Sequence, residues 1–128
     1  TEPGGVAKFG KTYTWTDGLS VTVSAPAPYT PSQYAAGVTK GVPNVVVGIT
    51  IVNKTKAPFD PVLFHVTAQS GNEEAKKIFD TNVGTTPTTK VLPGREVTFK
   101  MAFSAPAPND MVLEVTPSFD HDSVIYTS

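Results

Sequence analysis

The residues best suited to chemistry in this chain form the run Asp120-His121-Asp122, near its C-terminus. In an extended strand, residues i and i+2 share a face, so Asp120 and Asp122 could both reach one cation. The run lacks the glycine and the spaced oxygen ligands of the usual calcium loops. Short charged runs are most often solvated surface features. We therefore predict no bound metal and no cofactor, with Asp120, His121 and Asp122 as the alternative metal site.

Copper would favour histidine and methionine ligands, and the chain has two methionines. Met101 alternates in phase with Phe99 and Phe103, and Met111 alternates in phase with Leu113. Both methionines are therefore predicted to fill the core. The chain has no cysteine, which excludes disulfides, thiolate catalysis and thiolate zinc sites.

Nucleophilic catalysis has little support in the sequence. There is no Gly-x-Ser-x-Gly elbow, and a serine triad would need one of only two histidines. His65 lies opposite Phe64 and Val66 in its alternating run, so we expect it to meet solvent. No glycine-rich loop precedes a helix for phosphate binding. We predict that the chain is not an enzyme.

The residues most suited to binding are two tyrosines in the segment Ala25–Pro43, which carries four prolines and no long periodic run. Loops of this length in compact domains are usually functional or disordered. Tyrosine and proline give a rigid, amphipathic surface at low entropic cost. We predict Tyr29 and Tyr34 as partner-binding residues. The alternative is that both fold back to cover an open end of the fold, and the threonine-rich connection Asn82–Pro93 is a second candidate rim.

The elements that position these residues are strands, because apolar and polar residues alternate with period two in every long apolar run. Asp17-Gly18 predicts a tight hairpin turn, and Asn72–Phe79 predicts a short strand after a turn. These features predict an all-β fold, an antiparallel immunoglobulin-like β-sandwich of about seven to nine strands without a disulfide. The alternating runs are Leu19–Val23, Val45–Ile51, Val62–Ala68, Val97–Phe103 and Met111–Val115.

The pentapeptide Ser-Ala-Pro-Ala-Pro follows two of these runs, at residues 24–28 and 104–108. Proline has no N–H to give a ladder and keeps the preceding residue extended. We predict that each copy ends strand pairing and protects a sheet edge. The alternative is a polyproline ligand for an SH3-like or WW-like groove.

Charge and hydropathy limit the partners. The formal net charge is -1, so no global field favours nucleic acid, and no run approaches the length of a membrane helix. Asn53-Lys54-Thr55 matches a glycosylation acceptor, but we interpret it as a strand-ending turn.

Three motifs in order give the chain a resemblance. They are Trp15–Val23, Val45–Asn53, and Leu92-Pro93-Gly94-Arg95 leading into Val97–Phe103. The chain resembles a telokin-like, immunoglobulin-like domain of unknown function from actinobacterial secreted proteins and lipoproteins. A secreted immunoprotective antigen of mycobacteria belongs to the same structural group. A true antibody-type domain would have a cysteine pair around a buried tryptophan, and this chain has neither cysteine.

The resemblance implies a secreted or lipid-anchored module outside the cytoplasm, without catalytic residues to transfer. Any lipid-bearing cysteine would lie upstream of Thr1, and this anchor would be the chain's only membrane contact. We predict a flexible N-terminal tether over residues 1–8 and a single domain over residues 9–128. The predicted function is binding of an unknown protein or cell-surface polymer. The alternative is a small-ligand or metal-ion carrier of the cell envelope.

Overall fold

The fold is built from β-strands. A computed structural model describes residues 2–128, and its only helical segment in that range is the three-residue 3-10 helix Pro61–Leu63. No helix in this range is long and apolar enough to cross a membrane. The strands of the described residues are β1 (Gly5–Lys8), β2 (Thr12–Thr14), β3 (Leu19–Val23), β4 (Ala27–Pro28), β5 (Asn44–Asn53), β6 (His65–Ser70), β7 (Glu73–Glu74), β8 (Lys77–Ile78), β9 (Glu96–Ser104), β10 (Met111–Thr116) and β11 (Val124–Thr127).

Two sheets pack face to face over one core. The first sheet has the order β1-β11-β10-β6-β7, and the second has the order β2-β3-β5-β9-β8. The short strand β4 pairs with β5 beyond the end of β3. The prediction of an all-β sandwich without a disulfide is confirmed. The strands pair antiparallel except for β1 and β11, which are parallel. The structure has more strands than the seven to nine predicted because it includes the two-residue strands β4, β7 and β8.

The alternating residues fill the core as the sequence predicts. Val47, Ile49 and Ile51 of β5 lie beside Phe99, Met101 and Phe103 of the neighbouring strand β9 on the core face of the second sheet, and all are buried. Met101 is 4% exposed and Met111 2% exposed, so both predicted core methionines are confirmed. Burial of this apolar surface is the main favourable term in folding. The hairpin at Asp17-Gly18 is also confirmed, since the Trp15 amide donates to the Leu19 carbonyl oxygen at 2.8 Å.

The predicted tether is wrong for Gly5–Lys8. This segment is a strand of the first sheet, in parallel register with Val124–Thr127. Just before it, the Glu2 amide donates to the Asp120 carbonyl oxygen at 2.7 Å, and the Asp122 amide donates to the Glu2 carbonyl oxygen at 2.8 Å. An added Cβ on Gly4 would lie 1.9 Å from the Ser123 carbonyl oxygen, so glycine permits this close docking. A run of four residues is too short for alternation of apolar and polar residues to predict a strand. The predicted tether also included Thr1, which lies outside the described residues.

The run Val62–Ala68 begins later than its alternation suggests. The Asp60 carboxylate accepts a hydrogen bond from the Val62 amide at 3.1 Å, and Pro61 occupies the first turn of the 3-10 helix. Asp as N-cap with proline at the first position favours a helical start. Val62 is therefore 64% exposed, and its predicted place in the core is wrong. His65 is exposed in β6, as predicted.

The two Ser-Ala-Pro-Ala-Pro copies behave differently. Both follow a strand end, because β3 ends at Val23 and β9 ends at Ser104. The first copy rejoins the sheet, since Ala27 and Pro28 pair with β5 as strand β4, so the prediction that this copy ends strand pairing is wrong. The second copy leaves the ladder and turns, with the Ser70 hydroxyl accepting the Ala107 amide at 2.8 Å. Pro28 fits because a short edge strand tolerates a residue without an N–H.

Asn53 is the polar centre of the turn that ends β5. Its side chain is fully buried, and its amide group donates to the carbonyl oxygens of Ala57 and Val91 at 2.9 and 2.7 Å. Its side-chain oxygen accepts from the amide and hydroxyl of Thr55. This confirms the interpretation of Asn53-Lys54-Thr55 as a turn, and the buried side chain cannot carry a glycan in the folded chain.

We expect Asn53→Ala to lower the free energy of unfolding by about 1–3 kcal/mol, because buried carbonyl groups lose their donors. The measurement is urea unfolding followed by circular dichroism. The matched control is Asn72→Ala in an exposed turn, which should change stability by less than about 0.5 kcal/mol. Equal stabilities for the two variants would contradict this role of Asn53.

Candidate binding groove

The segment Ala25–Pro43 is fixed against the second sheet at two places. The Tyr29 amide donates to the Asn44 carbonyl oxygen at 2.9 Å, next to the start of β5. Further along, Ala36 and Phe79 exchange two backbone hydrogen bonds at 2.7 and 2.8 Å. An added Cβ on Gly37 would lie 2.5 Å from the Lys77 carbonyl oxygen, and its φ of 89° also favours glycine. The long loop therefore has a defined backbone path.

Asp80 organises this region through its buried carboxylate. One oxygen accepts the Tyr29 hydroxyl at 2.5 Å and the Ser32 amide at 2.7 Å. The other accepts the Ser32 hydroxyl at 2.7 Å. Hydrogen bonds to an ionised carboxylate are stronger than neutral ones. The cluster therefore holds the loop firmly to Asp80, which directly follows Phe79 in the sequence. We call Asp80, Tyr29 and Ser32 the Asp80 hub.

The hub shifts the pKa values of both its titratable members. The hydrogen bond from Tyr29, followed by that from the Ser32 amide, lowers the pKa of Asp80 to about 2. Partial burial, together with the hydrogen bond to anionic Asp80, raises the pKa of Tyr29 to about 12. At neutral pH, the pair is therefore an ionised carboxylate that accepts a hydrogen bond from a neutral phenol.

A surface groove of about 530 Å³ lies beside the hub. Its two large apolar side chains are Tyr34, which is 83% exposed, and Phe79, which is 61% exposed. The Tyr34 amide donates to the Ser32 hydroxyl at 3.3 Å, and Phe79 is held by its bonds to Ala36. The backbone under each aromatic residue is thereby fixed to the hub. The lining residues are Tyr34, Ala36, Phe79, Asp80, Thr81, Gly84 and Thr85.

The structure gives the two predicted tyrosines different positions. Tyr34 lines the groove, whereas Tyr29 is half-buried below it, with its hydroxyl bound to Asp80. Sequence reasoning missed Phe79 as a surface residue. Alternation along β8 could have predicted its exposure. Ile78 is 2% exposed and points inward, so the next residue, Phe79, points outward.

The groove offers stacking surfaces and hydroxyl groups. Its one carboxylate, on Asp80, already accepts hydrogen bonds at both oxygens. Lys77 places its amino group 5.4 Å from the centre of the Phe79 ring, at the distance of a cation–π contact. Thr81 and Thr85 add hydroxyl groups that can donate or accept. This chemistry suits an uncharged ligand with a flat face and hydrogen-bonding edges.

The three residues of the alternative metal site point to different environments. His121 is 8% exposed, with Nε2 2.7 Å from Asp17 Oδ2 and Nδ1 2.6 Å from Ser118 Oγ. Asp120 and Asp122 are exposed. Within residues 2–128, no three His, Cys, Asp or Glu side chains are arranged to hold a metal ion.

Ser118, His121 and Asp17 form a chain of hydrogen bonds with the composition of a catalytic triad. Ser118 Oγ also accepts the Asp120 amide at 3.2 Å, within the turn that ends at His121. The His121 ring lies edge-on to Trp15, with centroids 5.5 Å apart. The chain of bonds therefore ties the Asp17 turn to the loop after β10, which is a structural role.

The two Ser-Ala-Pro-Ala-Pro copies converge on another groove. Ala25 and Pro26 from the first copy and Pro108 from the second line a groove of about 380 Å³, together with Phe9. This convergence explains the repeat structurally, because both copies leave strands at the same end of the sandwich. The residues that line this second groove form no hydrogen-bonded cluster of polar side chains comparable to the Asp80 hub.

Comparison with known proteins places this architecture among bacterial β-sandwich proteins. No family model matches the chain, and no curated protein matches its sequence. The secreted protein MPT63 from Mycobacterium tuberculosis is similar in structure, with a TM-score of 0.69 and 16% identity over 96% of each chain. The yjhA protein from Bacillus subtilis has a TM-score of 0.69 and 12% identity, over 94% of this chain and 97% of the other.

A candidate lipoprotein from Bacillus subtilis, ycdA, has a TM-score of 0.73 and 18% identity over 95% of this chain. The matching region is 38% of the ycdA chain, so the present chain spans well under half of that protein. At these identities, the likeness shows a shared fold. The fold occurs in Bacillus as well as in mycobacteria.

Proposed function

We propose that this chain is a non-enzymatic binding module that works outside the cytoplasm and contacts its ligand through the Tyr34–Phe79 groove. The fold it shares with a secreted mycobacterial protein and with a candidate lipoprotein supports the location. Membership of the telokin-like group and an anchoring lipid upstream of Thr1 belong to the same proposal.

The observation that carries the proposal is a pair of exposed aromatic side chains on a fixed backbone. Exposed apolar patches rimmed by polar groups commonly mark interaction sites. Ordering an interface side chain costs about 0.5–1.5 kcal/mol, so a backbone fixed in advance leaves more of the contact energy for binding. The Asp80 hub supplies this preorganisation through four hydrogen bonds, to Tyr29, to Ser32 twice and to Asn82.

The ligand is a protein segment or a surface polymer, and the groove chemistry favours an uncharged one. Aromatic faces stack on flat apolar surfaces, and the threonine hydroxyls bind polar edges. A cationic ligand would find no free carboxylate in the groove, because both Asp80 oxygens are occupied.

The experiment compares Tyr34→Ala with Phe119→Ala in binding to fractionated bacterial cell-envelope material, separated into protein and polysaccharide fractions. Phe119 is 87% exposed, which makes it a matched aromatic control. It lies on the loop after β10, which His121 joins to the Asp17 turn, whereas β8 pairs with β9 near the other end of the second sheet. We expect Tyr34→Ala to weaken binding about tenfold, as loss of one well-placed aromatic contact does. Phe119→Ala should have less than a twofold effect.

Equal binding by wild type and Tyr34→Ala would contradict the groove as the contact surface. The carrier alternative is tested by calorimetry with calcium, copper and zinc on wild type and on Asp120→Ala/Asp122→Ala. In the carrier, His121 would have to leave Asp17 and Ser118 before it could bind a metal. A stoichiometric heat that the double variant lacks would favour the carrier over the binding module.

A further inference from the structure

The strand β9 has one side that is only partly paired. On one side, it pairs with β5 along its whole length, from Glu96 to Ser104. On the other, β8 pairs only with Ala102 and Phe103. The remainder of that side, from Glu96 to Met101, is a sheet edge.

The direction of the backbone groups on this edge follows from the pairing pattern. In an antiparallel strand, successive residues direct their N–H and C=O groups to opposite sides. The Ser104 amide donates to the Lys76 carbonyl oxygen at 2.8 Å, away from β5. Residues in phase with Ser104, which include Glu96, Thr98 and Lys100, therefore direct their N–H and C=O groups to the open edge.

A single segment passes beside this edge. We call residues 81–90 the strap, with the sequence Thr-Asn-Val-Gly-Thr-Thr-Pro-Thr-Thr-Lys. The strap and β9 together line two clefts of about 60 and 300 Å³. Within residues 2–128, no backbone hydrogen bond joins the strap to Glu96–Lys100. Most strap residues are exposed, and the half-buried ones are Val83, Thr86 and Pro87.

The side chains on this edge are self-complementary in charge. Glu96, Thr98 and Lys100 are all exposed and lie on one face of β9. If two copies of β9 meet in antiparallel register with Thr98 opposite Thr98, Glu96 of each copy faces Lys100 of the other. Cross-strand pairs of opposite charge and of threonine are both favourable, and like charges in those places are unfavourable.

We propose that the β9 edge is an interface for a second copy of this chain, centred on Thr98. The two edges exchange six backbone hydrogen bonds, two at each of the three facing pairs, and join the second sheets of both copies into one continuous sheet. The symmetry is that of an isologous dimer, in which each patch faces itself. The argument for this interface does not use the groove's ligand, but the two sites share the strap, which contributes Thr81, Gly84 and Thr85 to the groove.

The charge pattern favours a second copy over an unrelated strand. Natural edges usually carry charges that repel added strands. Here, Glu96 repels a strand with an acidic residue opposite it, and Lys100 repels one with a basic residue opposite it. A second copy in antiparallel register avoids both, because its Lys100 faces Glu96 and its Glu96 faces Lys100. The strap must move away from the edge during pairing. Because only three facing residue pairs carry the backbone contact, we expect a reversible dimer, weaker than interfaces of the standard size of about 1,200–2,000 Å², with Kd of about 10 μM to 1 mM.

The test is sedimentation velocity of the whole chain from 1 μM to about 1 mM, with circular dichroism to check folding of each variant. We expect the wild type to show a dimer that weakens as salt rises. Lys100→Glu and Glu96→Lys should each weaken it at least tenfold, because each places like charges opposite one another. The double charge swap Glu96→Lys/Lys100→Glu should restore the dimer.

A mixture of the two single variants gives a second readout. The Lys100→Glu chain carries two acidic residues on the edge, and the Glu96→Lys chain carries two basic ones. We expect them to form a mixed dimer more readily than either forms its own. A wild type that stays monomeric up to 1 mM would overturn the proposal. So would a dimer that neither single variant weakens.

Discussion

Replacing Trp15 by alanine is expected to lower the free energy of unfolding by about 3–5 kcal/mol, the usual cost of removing a buried tryptophan. Trp15 is 1% exposed, and its ring lies edge-on to both Tyr13 and His121, with centroids 4.9 and 5.5 Å away. Its Nε1 donates to the Asp122 carbonyl oxygen at 3.1 Å. The side chain therefore joins the β2–β3 hairpin to the loop before β11.

The measurement is urea unfolding by circular dichroism, because Trp15 is the only tryptophan and its fluorescence is lost in the variant. Trp15→Phe keeps most of the packing and loses the hydrogen bond, so it should cost less than the alanine variant. Phe119→Ala, on an exposed ring, should stay within about 0.5 kcal/mol. A free energy of unfolding for Trp15→Ala within about 1 kcal/mol of the wild-type value would contradict the role of Trp15 in joining the β2–β3 hairpin to the loop before β11.

Replacing Asp80 by asparagine is expected to weaken ligand binding by about fivefold or more, although Asp80 is not the main contact. The NH2 group that replaces one carboxylate oxygen can donate but cannot accept, so at least one of the hydrogen bonds from Tyr29, Ser32 and Asn82 is lost, and the others lose the negative charge that strengthens them. The backbone under Tyr34 and Phe79 then loses its common support. Ordering two aromatic side chains during binding costs about 1–3 kcal/mol, which corresponds to roughly five- to a hundredfold in affinity.

The same variant should change how stability depends on pH. The pKa of Asp80 is lowered from 3.8 to about 2 in the folded chain, so its contribution is complete above about pH 4 and disappears as pH falls toward 2. The pKa of Tyr29 is raised from 10.0 to about 12, so its contribution is complete below pH 10 and disappears as pH rises toward 12. Asp80→Asn should lack the acid loss and keep part of the alkaline one, because burial, the larger cause of the raised Tyr29 pKa, remains in the variant.

The experiment measures unfolding free energies from pH 2 to 11 for wild type, Asp80→Asn and Tyr29→Phe. The difference between wild type and Asp80→Asn should be largest between pH 5 and 9, and should shrink toward pH 2. Tyr29→Phe should remove the alkaline loss and part of the acid one. A constant difference between wild type and Asp80→Asn across this range would refute the hub as a charge-assisted cluster.

The sequence predicted the sandwich because its strands carry their own signal. Residues two apart in β5, β9 and β10 share a face, so the alternation of Val47, Ile49 and Ile51 reports burial without knowledge of the partner strand. The same reasoning placed Met101 and Met111 in the core. It failed at Val62, where a local capping interaction with Asp60 competes with the strand.

The groove could be predicted only in part, because its parts come together through distant contacts. Tyr34 was predicted from the composition of its loop. Its neighbour across the groove, Phe79, lies 45 positions later in the sequence, and Asp80 reaches Tyr29 across 51 positions. The residues around Tyr29 and Tyr34, and those around Phe79 and Asp80, carry no local pattern that predicts that these two segments meet. The same holds for Gly5–Lys8, which joins the sheet beside β11 at the other end of the chain.

The most direct test of the central claim is amide hydrogen exchange, with and without the envelope fraction that binds. Binding through the groove predicts slower exchange at residues 34–36 and 79–85, and little change at residues 117–121. The amides of Ala36 and Phe79 are already hydrogen-bonded to each other's carbonyl oxygens, so the change is expected mainly at the other residues of these two segments. Protection confined to residues 117–121, with residues 34–36 and 79–85 unchanged, would show that the ligand binds at the opposite end of the sandwich.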